Sequence, residues 1–178
     1  GPGTRDIRWD RTMTRIDGDT ITLDGPIATA IEKRFGGGTV ESYDWPGRIA
    51  HVGVEDLRLE STYDRQHPLD EEHSWFGLTM QNVQSAWARR IEFRHFAGGA
   101  VSLFENTKWI TIQDCLAPEP ISEIAGYRRH TFFTQGQLTL FFRCWSEHGS
   151  HDFAVGNCAP GPNAFVNCYA FEALGDSG

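Results

Sequence analysis

At 178 residues, with 39% hydrophobic residues and six Trp, the chain is long enough to bury one sizeable core and too apolar for disorder. A net charge of −8 with no long basic run excludes a primary role in gripping nucleic-acid phosphates, so no nucleic-acid partner is expected. No stretch approaches the ~18 apolar residues of a membrane-spanning helix and no signal-peptide pattern opens the chain, so membrane insertion is not expected.

The first residues, Gly1-Pro2-Gly3, suit an irregular loop or a cleavage remnant. Thr12-Met13-Thr14-Arg15-Ile16 and Thr20-Ile21-Thr22-Leu23 alternate with period two around Asp17-Gly18-Asp19, which predicts a β-hairpin. Ile27, Ala30, Ile31 and Arg34 fall at helical spacing before Gly36-Gly37-Gly38, which predicts a short helix over 26–35. Thr39-Val40-Glu41-Ser42-Tyr43 predicts a further strand. Residues 1–48 thus form an N-terminal β lobe or insertion, distinct from 49–178.

From residue 49 onward one short unit recurs, apolar-x-apolar followed by a small or aromatic residue. It occurs at Leu57-Arg58-Leu59, Ile91-Glu92-Phe93, Ile110-Thr111-Ile112, Thr139-Leu140-Phe141 and Asn163-Ala164-Phe165. Alternation predicts strands, and irregular return predicts a solenoid of parallel strands with loops of variable length. Phe76-Gly77-Leu78-Thr79-Met80 and Ala100-Val101-Ser102-Leu103-Phe104 are two more strands. Loops are expected over 64–73, 118–130 and 150–163. Nineteen Gly and eight Pro suit many turns. The tail Gly175-Asp176-Ser177-Gly178 carries no capping element, which predicts a segment of a longer solenoid with further turns outside it. Cys115, Cys144 and Cys168 hold equivalent places in successive units. They are read as small buried hydrophobes, with a disulfide between neighbours as the alternative. No C-x-x-C pair supports zinc, and no metal site is assigned.

The units Lys108-Trp109-Ile110-Thr111-Ile112-Gln113-Asp114-Cys115 and Ala164-Phe165-Val166-Asn167-Cys168, with His148-Gly149-Ser150-His151-Asp152-Phe153, resemble right-handed parallel β-helix proteins of the pectate-lyase-like superfamily, in an uncharacterised bacterial branch. The resemblance covers roughly 49–178. It implies an all-β, right-handed parallel β-helix, secreted or periplasmic, acting on a polysaccharide or oligosaccharide by elimination or hydrolysis. Trp109-Ile110-Thr111-Ile112 keeps the apolar part of a pectate-lyase Trp-Ile-Asp-His stretch and lacks its acid and His. Only His148-Gly149 echoes the polygalacturonase pattern, and no Asp-Asp pair occurs, so neither catalytic set transfers.

Three clusters carry candidate chemistry. His148, His151 and Asp152, with Glu147 beside them, suit acid–base catalysis near neutral pH; the alternative is a braced turn. Tyr127, Arg128, Arg129 and His130 combine an arginine fork for a uronate carboxylate with groups able to take the C5 proton; the alternative is a surface loop paired to Glu119 or Glu123. Asp70-Glu71-Glu72-His73 offers oxygens for Ca²⁺ beside Trp75, which is placed to stack on a sugar; the alternative is a solvated acidic loop. The leading expectation is a polysaccharide lyase on a uronate-containing glycan, with Tyr127, His148, His151 and Asp152 as acid–base residues and Arg128, Arg129 and Trp75 binding substrate. Two alternatives stand beside it. One is a carbohydrate-binding or adhesive segment, which calls for Trp75, Trp87 or Trp145 exposed in a row. The other is a glycoside hydrolase using two carboxylates among Asp114, Glu147 and Asp152.

Overall fold

The computed structural model describes residues 6–175. Gly1-Pro2-Gly3 and Asp176-Ser177-Gly178 lie outside the described residues. β1 (Met13–Asp17) and β2 (Thr20–Leu23) form an antiparallel hairpin around Gly18, whose φ of 56° is readily reached only without a Cβ. The chain continues through β3 (Ile49–Ala50), β4 (Gly53–Glu60), β5 (Phe76–Met80), β6 (Val83–Arg94), β7 (Gly99–Leu103), β8 (Lys108–Gln113) and β9 (Leu116–Glu119). It ends with β10 (Phe132–Thr134), β11 (Gln137–Phe142), β12 (Trp145–Glu147), β13 (Phe153–Val155), β14 (Asn163–Val166) and β15 (Tyr169–Phe171). From β3 onward every pairing is parallel. The molecule is therefore all-β and built on parallel sheets.

The parallel strands divide between two sheets. One sheet runs β13-β10-β7-β5, and the other runs β14-β11-β8-β6-β9-β12-β15, with β3 and β4 also on β6. β6 is long enough to serve twice: residues 84–89 pair with β8, and residues 92–94 pair with β9. Between them the chain bends at Arg90, φ 54°. The same bend recurs at Asp56, Asp114, Arg143 and Asn167, all in the left-handed region. Asp and Asn tolerate that conformation. The two arginines are held by their neighbours: Arg90 binds Asp56 at 2.6 and 2.8 Å, and Arg143 binds Asp114 at 2.6 and 2.7 Å. The ion pair between Arg143 and Asp114 is thus part of a column of bends.

The alternating pattern places one face inside. In β8 and β11 every second residue is buried, and Ile110, Ile112, Phe141, Phe132, Val101 and Phe93 are the heart of the core. Aromatic rings stack from one strand to the next, Phe132 on Phe153 at 5.4 Å and Phe141 on Phe165 at 4.8 Å. Cys115 and Cys144 are buried free thiols and Cys168 is a half-buried one, so the packing role holds and no disulfide forms. Contact with Cys115 and burial push the Cys144 thiol up, which keeps it protonated.

Four expectations are corrected. Residues 26–35 form no α-helix; only a 3-10 turn occurs, Lys33–Phe35, ended by Gly36 at φ 105°. None of its residues is buried, so nothing rewards the helical spacing. Residues 39–43 form no strand, because this exposed stretch has no partner edge among the described residues. Ile110 and Ile112 pair with Ala86 and Ala88 rather than with Ile91 and Phe93, whose neighbours are Leu57 and Leu59. Partners on adjacent strands are accordingly separated by 34, 24, 29 and 24 residues. The loop expected over 150–163 also contains β13, which extends the Phe132 column.

The N-terminal segment docks at the starts of β8 and β11. Asp10 binds Arg48 at 2.5 Å and Lys108 at 2.9 Å, and its backbone N–H donates to Gln137 Oε1 at 2.9 Å. Trp9 Nε1 donates to the Pro160 carbonyl at 2.9 Å, and Arg11 to that of Gly161 at 2.9 Å. Burial opposes the Asp10 charge, but Arg48, Lys108 and Tyr43 outweigh it and hold its pKa below the usual value. Burial and the same carboxylate push the Tyr43 phenol up to about 12.

Candidate functional site

Two neighbouring rows lie where the strands of the four-stranded sheet begin: Phe76, Gly99, His130 and His151 share one, and Trp75 and Gly98 sit one residue earlier. Trp75 precedes β5, Gly98 precedes β7, His130 leads into β10 and His151 leads into β13. Backbone hydrogen bonds knit them together. Gly98 N–H donates to Trp75 O at 2.8 Å, His130 N–H to Gly98 O at 2.8 Å, and Thr131 N–H to His151 O at 3.2 Å. The register of the sheet therefore aligns side chains that are far apart in sequence. A Cβ on Gly98 would come within 3.0 Å of the Trp75 ring and 2.9 Å of the Phe76 ring, so glycine is needed for both aromatics to pack there.

The loop before β10 supplies the rest. Tyr127 is exposed and its ring lies 6.2 Å from that of Trp75. The Arg128 guanidinium sits over both rings, at 5.5 and 5.7 Å. Arg128 is gripped by Glu71 at both nitrogens, Nη2–Oε2 being 2.8 Å, and Glu71 also accepts the Glu123 N–H at 3.1 Å. Its partner is thus Glu71, not the expected Glu119 or Glu123. Arg128 holds the Glu71 carboxyl below the usual carboxylate range. The rings of His130 and His151 meet edge to face at 4.5 Å. Burial, then the neighbouring His151, lowers the His130 pKa below 6.5 against a hydrogen bond at the Gly126 backbone. His130 is therefore a neutral, basic imidazole at pH 7. Trp75, Tyr127 and Arg128 thus form one cluster and His130 and His151 a second, both where the strands of the four-stranded sheet begin.

The other candidates lie elsewhere or are engaged in the scaffold. Arg129 is buried, with Nε donating to Ser122 Oγ at 3.0 Å, Nη2 to Ser122 O at 2.6 Å and Nη1 to His148 O at 3.2 Å. Asp152 is buried and accepts from Ser146 Oγ at 2.5 Å. It sits against Gly149, where a Cβ would lie 2.2 Å from Asp152 Oδ1. His148 faces Glu172 at 3.5 Å while His151 faces His130. Of the carboxylates proposed for hydrolysis, Asp114 is tied to Arg143, Asp152 to Ser146, and Glu147 accepts from Trp145 Nε1 at 2.7 Å.

The acidic loop closes on itself. Asp70 accepts the backbone N–H groups of Asp64 and Glu72, both at 2.9 Å, and His73 bonds the Asp70 and Ile121 carbonyls and Ser61 Oγ. Among the described residues no three His, Cys, Asp or Glu side chains gather as metal ligands. The sequence pairs His151 with His148, offers Glu71 only as one of the Ca²⁺ oxygens of the acidic loop, and gives no sign of Gly98. Only the strand register, invisible in one sequence, aligns His151 with His130 and brings the acidic loop to Arg128.

Compared with protein-family models, with curated proteins and with solved structures, the chain matches none of them. Among the described residues no helix is long and apolar enough to cross a membrane.

Proposed function

We propose that the parallel sheets wind as a right-handed β-helix of pectate-lyase-like type, and that the protein is a polysaccharide lyase engaging a uronate-containing glycan. One observation carries the proposal: the loop leading into β10 bears both the Trp75–Tyr127–Arg128 cluster and, two residues on, the His130–His151 pair. Trp75 and Tyr127 offer faces for a sugar ring. Arg128 takes the uronate carboxylate by exchanging it for Glu71. Neutral His130, supported by His151, removes the C5 proton while the carboxylate's contact with Arg128 favours the enolate-like charge that develops; the C4–O bond then breaks to give a C4=C5 double bond, and the departing oxygen takes a proton from water. Secretion or export to the periplasm belongs to the same proposal. So does a further parallel turn, since Ala170 is exposed although it continues the inward column of buried Ser146.

Glycan binding without turnover is the second reading. It is favoured by Glu71 already neutralising Arg128 and by Arg129 and Asp152 being built into the scaffold. The test is ultraviolet absorbance of unsaturated uronide with wild type, His130→Ala and His151→Ala. Product that disappears in both variants supports the lyase. Binding with no product from wild type moves the assignment to a binding protein.

A further inference from the structure

Residues 28–47 are exposed at every position and contribute no strand. Their one regular feature is the turn Lys33–Phe35, in which no residue is buried. Apart from the Arg48 N–H on Trp45 O, backbone hydrogen bonds here are confined to that turn, from Phe35 and Gly37 to Glu32 and from Gly36 to Lys33. A stretch held so little opens readily, and such loops are where proteases nick a folded chain. It carries the basic pair Lys33-Arg34 directly before Phe35 and three glycines. The Arg34 side chain is 70% exposed, and its contacts, Glu32 at 2.6 Å and the Phe35 ring at 4.5 Å, belong to the same turn. Basic residues elsewhere are held in place. Arg58, Arg90 and Arg94 lie in paired strands, Arg128 and Arg143 grip carboxylates on neighbouring turns, and Arg65 sits in the loop that Asp70 closes. A protease needs several residues laid out straight in its cleft, which at those positions would first break the scaffold.

Both flanks of the stretch are anchored, and a cut at Lys33-Arg34 spares every anchor. Upstream, Trp9 Nε1 donates to Pro160 O, Asp10 binds Lys108, and Arg11 donates to Gly161 O, each at 2.9 Å. Arg11 also donates to Pro26 O at 2.6 Å, which closes the upstream piece and its hairpin on itself. Downstream, the buried Arg48 reaches Asp10 at 2.5 Å and Asn106 O at 2.7 Å. We infer that Lys33-Arg34 is a processing site for a trypsin-like protease, and that the upstream piece stays docked afterwards as a separate peptide held through Asp10. Water adds across the peptide bond after Lys33 or Arg34, leaving a carboxylate on that residue and an amine on the next. Before the cut, the tether keeps Asp10 at a high effective concentration beside Arg48 and Lys108. After it, the peptide is a dissociable ligand of the solenoid, and its departure uncovers those two cations.

The test is limited trypsin digestion of the full chain at neutral pH, read by mass spectrometry and size-exclusion chromatography. Among the described residues, wild type should be cut first after Lys33 or Arg34, about tenfold faster than at any second position. The double variant Lys33→Gln, Arg34→Gln should resist that cut. The two pieces of nicked wild type should elute together. Asp10→Ala, nicked in the same way, should lose its N-terminal peptide on the same column; circular dichroism checks that the variant folds. A first cut at Arg65 or another described position, separation of the wild-type pieces, or equal retention of the peptide by wild type and Asp10→Ala would overturn the inference.

Discussion

His130 is the residue on which the proposed chemistry turns. Its folded-state pKa is lowered, so the neutral form persists at pH 7 and is lost only as pH falls below 6.5. The base limb of a pH–rate profile should therefore drop below that value, and His130→Ala should reduce turnover by about 10²- to 10⁴-fold, the usual contribution of a general base. Steady-state kinetics across pH 5 to 8 checks both. Glu71 makes a different prediction. It competes with substrate carboxylate for Arg128, through a charge-assisted pair whose side chains are 25 and 21% exposed. Glu71→Gln should accordingly tighten binding of an oligouronate by about twofold to fivefold, measured by calorimetry. These residues were only partly legible in the sequence. Tyr127, Arg128 and Trp75 were visible because their types suit sugar binding. The partnership of His151 with His130 was not, because it depends on which turn of the chain lies beside which.

Strand repeats show the same limit. The hairpin at β1 and β2 was readable because alternation and the Asp-Gly-Asp turn are both local. The parallel pairing of Ile112 with Ala88 was hidden, since alanine carries little hydrophobic signal and the bulkier Ile91-Glu92-Phe93 stood out instead. Bends at the left-handed positions explain how one strand serves both Ala88 and Phe93. At Arg143 (φ 52°) a β-branched residue is sterically costly, whereas Asn is tolerated. Arg143→Val should lower stability by about 1–3 kcal/mol and Arg143→Asn by less, as seen in urea unfolding. The N-terminal segment hangs on Asp10, whose partners Arg48 and Lys108 are largely buried. Asp10→Ala would leave Arg48 without its carboxylate and Lys108 with Asp24 at 4.0 Å, and cost about 3 kcal/mol. The Asp10 pKa is depressed, so its contribution is present above 3.8 and lost as pH falls through the lower folded value. Hydrogen exchange at residues 7–48 should quicken in the variant at neutral pH, and in wild type only on acidification below 3.8.

At the scale of the whole molecule, one scaffold presents two clusters. Where its strands begin, the four-stranded sheet carries an aromatic–cationic cluster and a histidine pair. The stacked core holds both in place: Phe141 is fully buried between Phe132 and Phe165, and Phe141→Ala should destabilise the molecule by about 3–5 kcal/mol in thermal or urea unfolding. The central claim, that Trp75, Tyr127, Arg128, His130 and His151 process a uronate glycan, is tested most directly by incubating the protein with a panel of uronate polysaccharides and following unsaturated-product absorbance. The account predicts absorbance growth with at least one polymer, abolished in His130→Ala. An absence of product and of binding across the panel, or equal product from wild type and His130→Ala, would contradict it.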